Sequence, residues 1–185
     1  MGTHVCPWYM GYLLANPMRR LFQNPEKILS PYIKHGMKVL EVGPGMGFFS
    51  IPMAKLVGEM GRIYCVDLQE KMLKSLRHRA SKKHLLDRID FRLCSESSLK
   101  IDDLAGVVDF ALAFAVVHEV PDQKRLFTEI IQALKKDGFL MISEPQGHVT
   151  KEGFESTHLI AQSKGMKLLD SQNIKNSYSA VLKKI

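Results

Sequence analysis

Three glycines at alternate positions, Gly43, Gly45 and Gly47, follow the mostly apolar run VLEV at 39–42. Glycines at the end of a strand let the backbone turn sharply and press against a ligand. Phosphate is the commonest cargo of such a turn, held on the N-terminus of the helix that follows. The dinucleotide pattern G-x-G-x-x-G wants its last glycine where this chain has Phe48, and a phenyl group there obstructs close helix–strand packing. Glu41 sets a carboxylate two residues before the first glycine, where it repels a pyrophosphate and attracts an ammonium group. Asp67, twenty residues after Gly47, suits a carboxylate that accepts both hydroxyls of a ribose. The two acids together imply a nucleoside with a positively charged amino-acid tail. S-adenosylmethionine fits.

A second set of reactive side chains lies further along. His118 and Glu119 sit in AVVHEVPD after an apolar strand, Glu144 ends the next strand, and His148 follows it. Placed at the ligand edge of a sheet, His118 or Glu119 can serve as a general base or contact a substrate, and His148 can contact a substrate. Each also has a structural alternative: a satisfied histidine for His118, a helix cap for Glu119, a solvated loop for His148. At the N-terminus, Trp8, Tyr9 and Tyr12 could wall an acceptor pocket, with the Cys6 thiol among them. Cys65 falls inside a predicted strand and reads as a core thiol, which argues against a three-thiol metalloid site with Cys6 and Cys94. A grouping of His4, Cys6, His118 and Glu119 has no spacing signature behind it. No metal is expected.

The elements that must position these residues alternate in kind. Asn24-Pro25 reads as a cap and first helical residue, opening a helix that should stop near Gly36. Strands are predicted at 38–43, 62–68, 89–95, 107–114 and 139–145, and helices at 48–57, 69–83, 121–136 and 150–164. Asp137-Gly138 should end the third of these helices. Strands separated by helices of this length give a parallel sheet covered on both faces. The tail adds two strand-like segments joined by a short polar link, a hairpin at one sheet edge. The expectation is an α/β fold, Rossmann-like and doubly wound, with a mostly parallel seven-stranded sheet and a C-terminal antiparallel β-hairpin. Residues 1–185 form a single domain in this reading, with 1–23 a cap and 24–185 the core.

The bulk numbers are compatible with one such layer system. The chain has 185 residues, 45% hydrophobic and 24% charged, with a formal charge of +7. No apolar run approaches the roughly 20 residues that a membrane span requires. Three cysteines without metal-type spacing suggest a reducing, cytoplasmic setting rather than a disulfide framework. The densest basic stretch, KMLKSLRHRASKKH at 71–84, places its apolar residues on one face and reads as a solvated helix rather than a nucleic-acid patch.

Five segments in order, LEVGPGMGFFS, VDLQEKML, CSESSL, VVDFALAFAVVHEVPD and LKKDGFLMISEP, resemble the motifs of class I S-adenosylmethionine-dependent methyltransferases. The likeness is strongest to the small ubiquinone/menaquinone-biosynthesis-like group and covers about residues 25–145. It implies Glu41, Gly43, Gly45 and Gly47 at the methionine end of the cofactor and Asp67 on the ribose. Leu68 would pack on adenine, Ser95 and Glu96 would lie near its amino edge, and Ala113 and Phe114 would line the sulfonium side. Relatives commonly carry an Asp in a G-D-A run where this chain reads Cys94-Ser95-Glu96. Adenine recognition therefore falls to the Ser95 hydroxyl or to backbone. The acceptor expected is a small molecule, with protein or RNA as the alternative substrate. A binding protein on the same fold and a nicotinamide dehydrogenase are the remaining alternatives.

Overall fold

Caps and proline placement decide where each element starts and stops. The structure is a computed structural model and describes residues 23–171 and 173–185. Its elements are α1 (Pro25–Leu29), β1 (Lys38–Val42), α2 (Ser50–Leu56), β2 (Arg62–Asp67), α3 (Glu70–Ser81) and β3 (Ile89–Leu93). They continue with β4 (Val108–Phe114), α4 (Gln123–Ala133), β5 (Leu134–Pro145), α5 (Lys151–Gln162), β6 (Met166–Asp170) and β7 (Ser177–Lys184). The N-terminal residues Cys6, Trp8, Tyr9 and Tyr12, with the expected cap they belong to, lie outside the described residues.

The strands form one seven-stranded sheet in the order β3-β2-β1-β4-β5-β7-β6. The first five pair in parallel, and β7 enters antiparallel between β5 and β6. Successive residues of a strand point to opposite faces, and both faces here are buried. Leu40 and Ala111 join one core with Phe127 and Leu140, whereas Val39 and Phe110 join the other with Ile63 and Met141. The chain builds outward from β1 to β3 and then returns to lay β4 on the other side of β1. At that reversal the flanking connections diverge, and a crevice opens beyond the strand ends.

Most boundaries fall within two residues of expectation, and three differences have a visible physical cause. α1 stops at Leu29 rather than near Gly36, because Pro31 has no N–H to continue the ladder; Ser30 N–H bonds Glu26 O at 2.9 Å as the last turn. α4 starts at Gln123 because Asp122, not a residue before Pro121, caps it, accepting from Arg125 N at 3.0 Å. It ends at Ala133, where Leu134 turns extended and pairs with Val108. Asp137-Gly138 therefore lies inside β5 and not at a helix end. The pairing jumps there from Val108–Leu134 to Phe110–Phe139, with Asp137 at φ +63°, and the extra residues form a bulge. Lys184 Nζ donates to Ile131 O and Leu134 O at 2.6 and 2.7 Å, satisfying carbonyls that the helix end leaves open.

Candidate active site

The crevice at the β1–β4 reversal is a cavity of about 360 Å³. Its floor is the glycine loop between β1 and α2. Gly43 has φ +69°, and a Cβ there would come within 2.6 Å of Val116 Cγ2, so the loop passes directly against the segment after β4. Gly47 has φ +85°, and a Cβ would meet Leu76 Cδ1 at 2.2 Å. Gly47 thus provides the close contact with α3, and the phenyl of Phe48 does not obstruct it. Phe48 lines the cavity instead, edge-on to Phe49 at 5.1 Å, and Phe49 meets Phe114 at 4.4 Å between ring centroids. A Cβ on Gly45 would have no atom within 4 Å, which leaves its backbone open to a ligand.

Two buried acids flank this loop. Glu41 accepts from Ser50 Oγ at 2.5 Å, with Cys65 Sγ at 3.6 Å from the same oxygen. Burial, only partly offset by these neutral donors, pushes its pKa up to about 7. Asp67 ends β2, its two oxygens accepting from Gln69 N at 2.8 Å and Gly45 N at 3.2 Å. Its pKa is pushed up to about 6, again chiefly by burial. Both acids are held at a cost, and a cation or a pair of hydroxyl donors offsets that cost.

The opposite wall comes from the ends of β4 and β5. Glu144 is 1% exposed. One of its oxygens accepts from Val116 N at 3.2 Å and Val117 N at 2.8 Å, and the other is hydrogen-bonded to His118 Nδ1. That carboxylate raises the pKa of His118, outweighing the opposing effect of burial. The imidazole's Nε2 is 4.0 Å from Glu119 Oε1, and its ring lies 5.2 Å from that of His148. Glu119 does not cap α4, since Asp122 holds that position.

The cavity brings together Glu41, Gly43, Gly45, Asp67, Leu68, Ser95, Glu96, Phe114, His118, Glu119 and His148. Gly47 supports it from behind. Ala113 does not line it: paired with Val42 and Ile142 in the middle of the sheet, it is fully buried, and Phe114, Ala115 and Val116 at the strand end take its place. Cys65 is a buried core thiol, as expected, while Cys94 lines the cavity with its pKa pushed up to about 11 by burial. The sequence reading missed Arg125 and Glu129, which reach the cavity from α4. With Asp122 they stand at helical spacing on one face, and that polar stripe was the available signal.

A family model for the methyltransferase domain matches residues 33–178 of the chain. The chain belongs to the class I S-adenosylmethionine-dependent methyltransferases. Among relatives of this methyltransferase, the mitochondrial ubiquinone biosynthesis O-methyltransferase of Bos taurus is 32% identical over 109 residues, 58% of this chain and 28% of that protein. A ubiquinone/menaquinone biosynthesis C-methyltransferase of Hydrogenovibrio crunogenus is 27% identical over 112 residues, 60% of this chain and 43% of that protein. The methyltransferase thus matches less than half the length of either curated relative. A solved structure described as a SAM-dependent methyltransferase from Aquifex aeolicus shares the fold, with a TM-score of 0.88 at 24% identity over 98% of this chain and all of that one. Its cofactor as a family member is S-adenosylmethionine. The residues present fit that molecule: Asp67 has two acceptor oxygens, Gly45 leaves space where a Cβ would stand, and Glu41 is a buried acid, its pKa pushed up to about 7, whose ionised form a ligand's cation would favour.

Proposed function

We propose that this methyltransferase moves a methyl group from S-adenosylmethionine to the hydroxyl of a small aromatic acceptor, with His118 as general base. The observation that carries this reading is the Glu144–His118 pair on the same cavity as the glycine loop and Asp67. Asp67 would hold the ribose, Leu68 and the Ser95–Glu96 turn the base, and Glu41 the charged tail. When bound, the cofactor supplies a methyl carbon already activated by cationic sulfur. The protein then has to align a nucleophile in a dry site and take up its proton.

Glu144 suits the second task. By accepting from Nδ1–H it fixes the tautomer that leaves Nε2 free to accept a proton, and its charge stabilises the imidazolium that forms. Phe48, Phe49 and Phe114 give the cavity an aromatic lining compatible with a ring-bearing acceptor. Of the two relatives above, the Bos taurus protein is named an O-methyltransferase, the reaction proposed here. The Hydrogenovibrio crunogenus protein is named a C-methyltransferase, which makes transfer to a ring carbon the competing outcome of the test.

The test is methyl-labelled cofactor offered to a panel of mono- and dihydroxybenzenes. Label should pass to oxygen, and His118→Ala should lower turnover by about 10²- to 10³-fold. Turnover on a neutral phenol should be insensitive to salt. Full activity in His118→Ala contradicts the assigned base. Label appearing only in RNA, with affinity falling steeply as salt rises, contradicts the small acceptor.

A further inference from the structure

The wall of the cavity that faces the expected base position is the tight turn Ser95–Ser98, closed on itself by Ser95 N–H to Ser98 O at 3.0 Å and Ser98 N–H to Ser95 O at 3.3 Å. The turn is not held by the sheet alone. Glu129, one turn below Arg125 on α4, accepts from Leu99 N at 2.6 Å and from Ser98 Oγ at 3.5 Å. Arg125 Nη2 donates to Glu96 O at 2.8 Å, and its Nε lies 3.9 Å from Glu129 Oε1.

We propose that Arg125 and Glu129 are positioning residues that clamp the Ser95–Ser98 turn and so shape the end of the cavity that takes the cofactor's purine. The inference rests on the cofactor reading above and extends it to residues that no motif marks. Three observations support it. An Arg four residues before a Glu is the less stabilising order for a helical ion pair, so the pair's place is explained by the turn it holds rather than by the helix. Lys100, just past the clamp, has φ +55°, a backbone conformation that a lysine keeps only when its neighbours over-determine it. The Cys94 N–H bonds Asp67 O at 3.1 Å, so the start of the turn is fixed to the residue that would hold the ribose. Because Cys94-Ser95-Glu96 lacks an aspartate, the base would be read by the turn's backbone and the Ser95 hydroxyl. Those groups have to stand in one place, and α4 keeps them there.

The test is calorimetry of the full chain with S-adenosylhomocysteine and with S-ribosylhomocysteine, which is the same molecule without its purine. Glu129→Ala removes the two hydrogen bonds that hold the turn, so S-adenosylhomocysteine has to order it on binding and should weaken by about tenfold, and S-ribosylhomocysteine by less than about twofold. Arg125→Met, at a half-exposed side chain, should show the same purine dependence at about threefold and serves if Glu129→Ala does not fold. Equal weakening of both ligands, or none of S-adenosylhomocysteine, overturns the clamp. A wild-type protein that binds neither overturns the cofactor reading, and the clamp with it.

Discussion

Glu41 and Glu144 are both almost completely buried, at 3% and 1% exposure, yet they are furnished in opposite ways. Glu41, beside the glycine loop, has the neutral donors Ser50 and Cys65 as its side-chain partners among the described residues. Glu144, near the end of β5, takes two backbone N–H bonds and pairs with an imidazole. A buried carboxylate without a cation is held by protonation, which is why Glu41 titrates near neutrality. The Glu144 carboxylate already has its partner within the protein. The comparison separates a buried acid held by neutral donors from one whose charge is met within the protein, and on the proposed function the first awaits a ligand's cation.

The largest effect should come from breaking the self-contained end. Glu144→Gln removes the main cause of the raised His118 pKa, so the acidic limb of the pH–rate profile should move to lower pH. The turnover number should fall by about 10²-fold or more, because the wrong tautomer is no longer excluded. Rates measured across pH with both proteins check this. An unmoved acidic limb removes His118 from the reaction.

Next in size is the cofactor end. Asp67→Ala should raise the dissociation constant of S-adenosylhomocysteine by about 100-fold, the loss of two hydrogen bonds to a charged acceptor. Calorimetry measures it, and a change below fivefold would place the ribose elsewhere.

Gly47→Ala separates scaffold from site. The added Cβ must displace Leu76 and adopt φ +85°, so the protein should lose about 2 kcal/mol and melt some 4–8 °C lower. Gly45→Ala meets nothing within 4 Å and should lose only about 1 kcal/mol, for its positive φ. Thermal melts of the two variants should differ in that order.

The pH dependence of binding is the most selective effect. Affinity for S-adenosylhomocysteine should fall about tenfold between pH 8 and pH 6, as Glu41 loses the charge that pairs with the ligand's ammonium. Glu41→Gln should flatten that slope. Stability of the free protein should run with the opposite sense. The folded pKa values of Glu41 and Asp67, about 7 and about 6, lie above their ordinary values of 4.5 and 3.8. The folded state therefore binds more protons than the unfolded one in that window, and stability is lost as pH rises through it. Chemical denaturation at pH 5 and pH 8 checks the sign.

What could be read from the sequence was whatever a single segment determines. The glycine turn, the acid after β2 and the strand–helix alternation are local, and right-handed crossovers then cover both faces of a parallel sheet, while the order of its strands was not read from the sequence. The packing argument from Phe48 did not hold, since its ring turns into the cavity and Gly47 makes the close contact with the helix. Ala113 missed by one step because the point where a strand leaves the sheet is set by its neighbours. The Glu144–His118 bond joins residues 26 apart, and the Glu129–Leu99 bond residues 30 apart. Both depend on which strand and helix come to lie together. Asp137-Gly138 carried a helix-stop signal, and the pairing of Leu134 with Val108 overrode it.

A crystal structure with S-adenosylhomocysteine bound tests the two-ended account most directly. The ribose hydroxyls should lie within hydrogen-bond distance of Asp67, the purine between Leu68 and the Ser95–Ser98 turn, and the sulfur on the side of the cavity that holds His118. A ribose away from Asp67, or a sulfur shielded from His118 by the amino-acid tail, would contradict it.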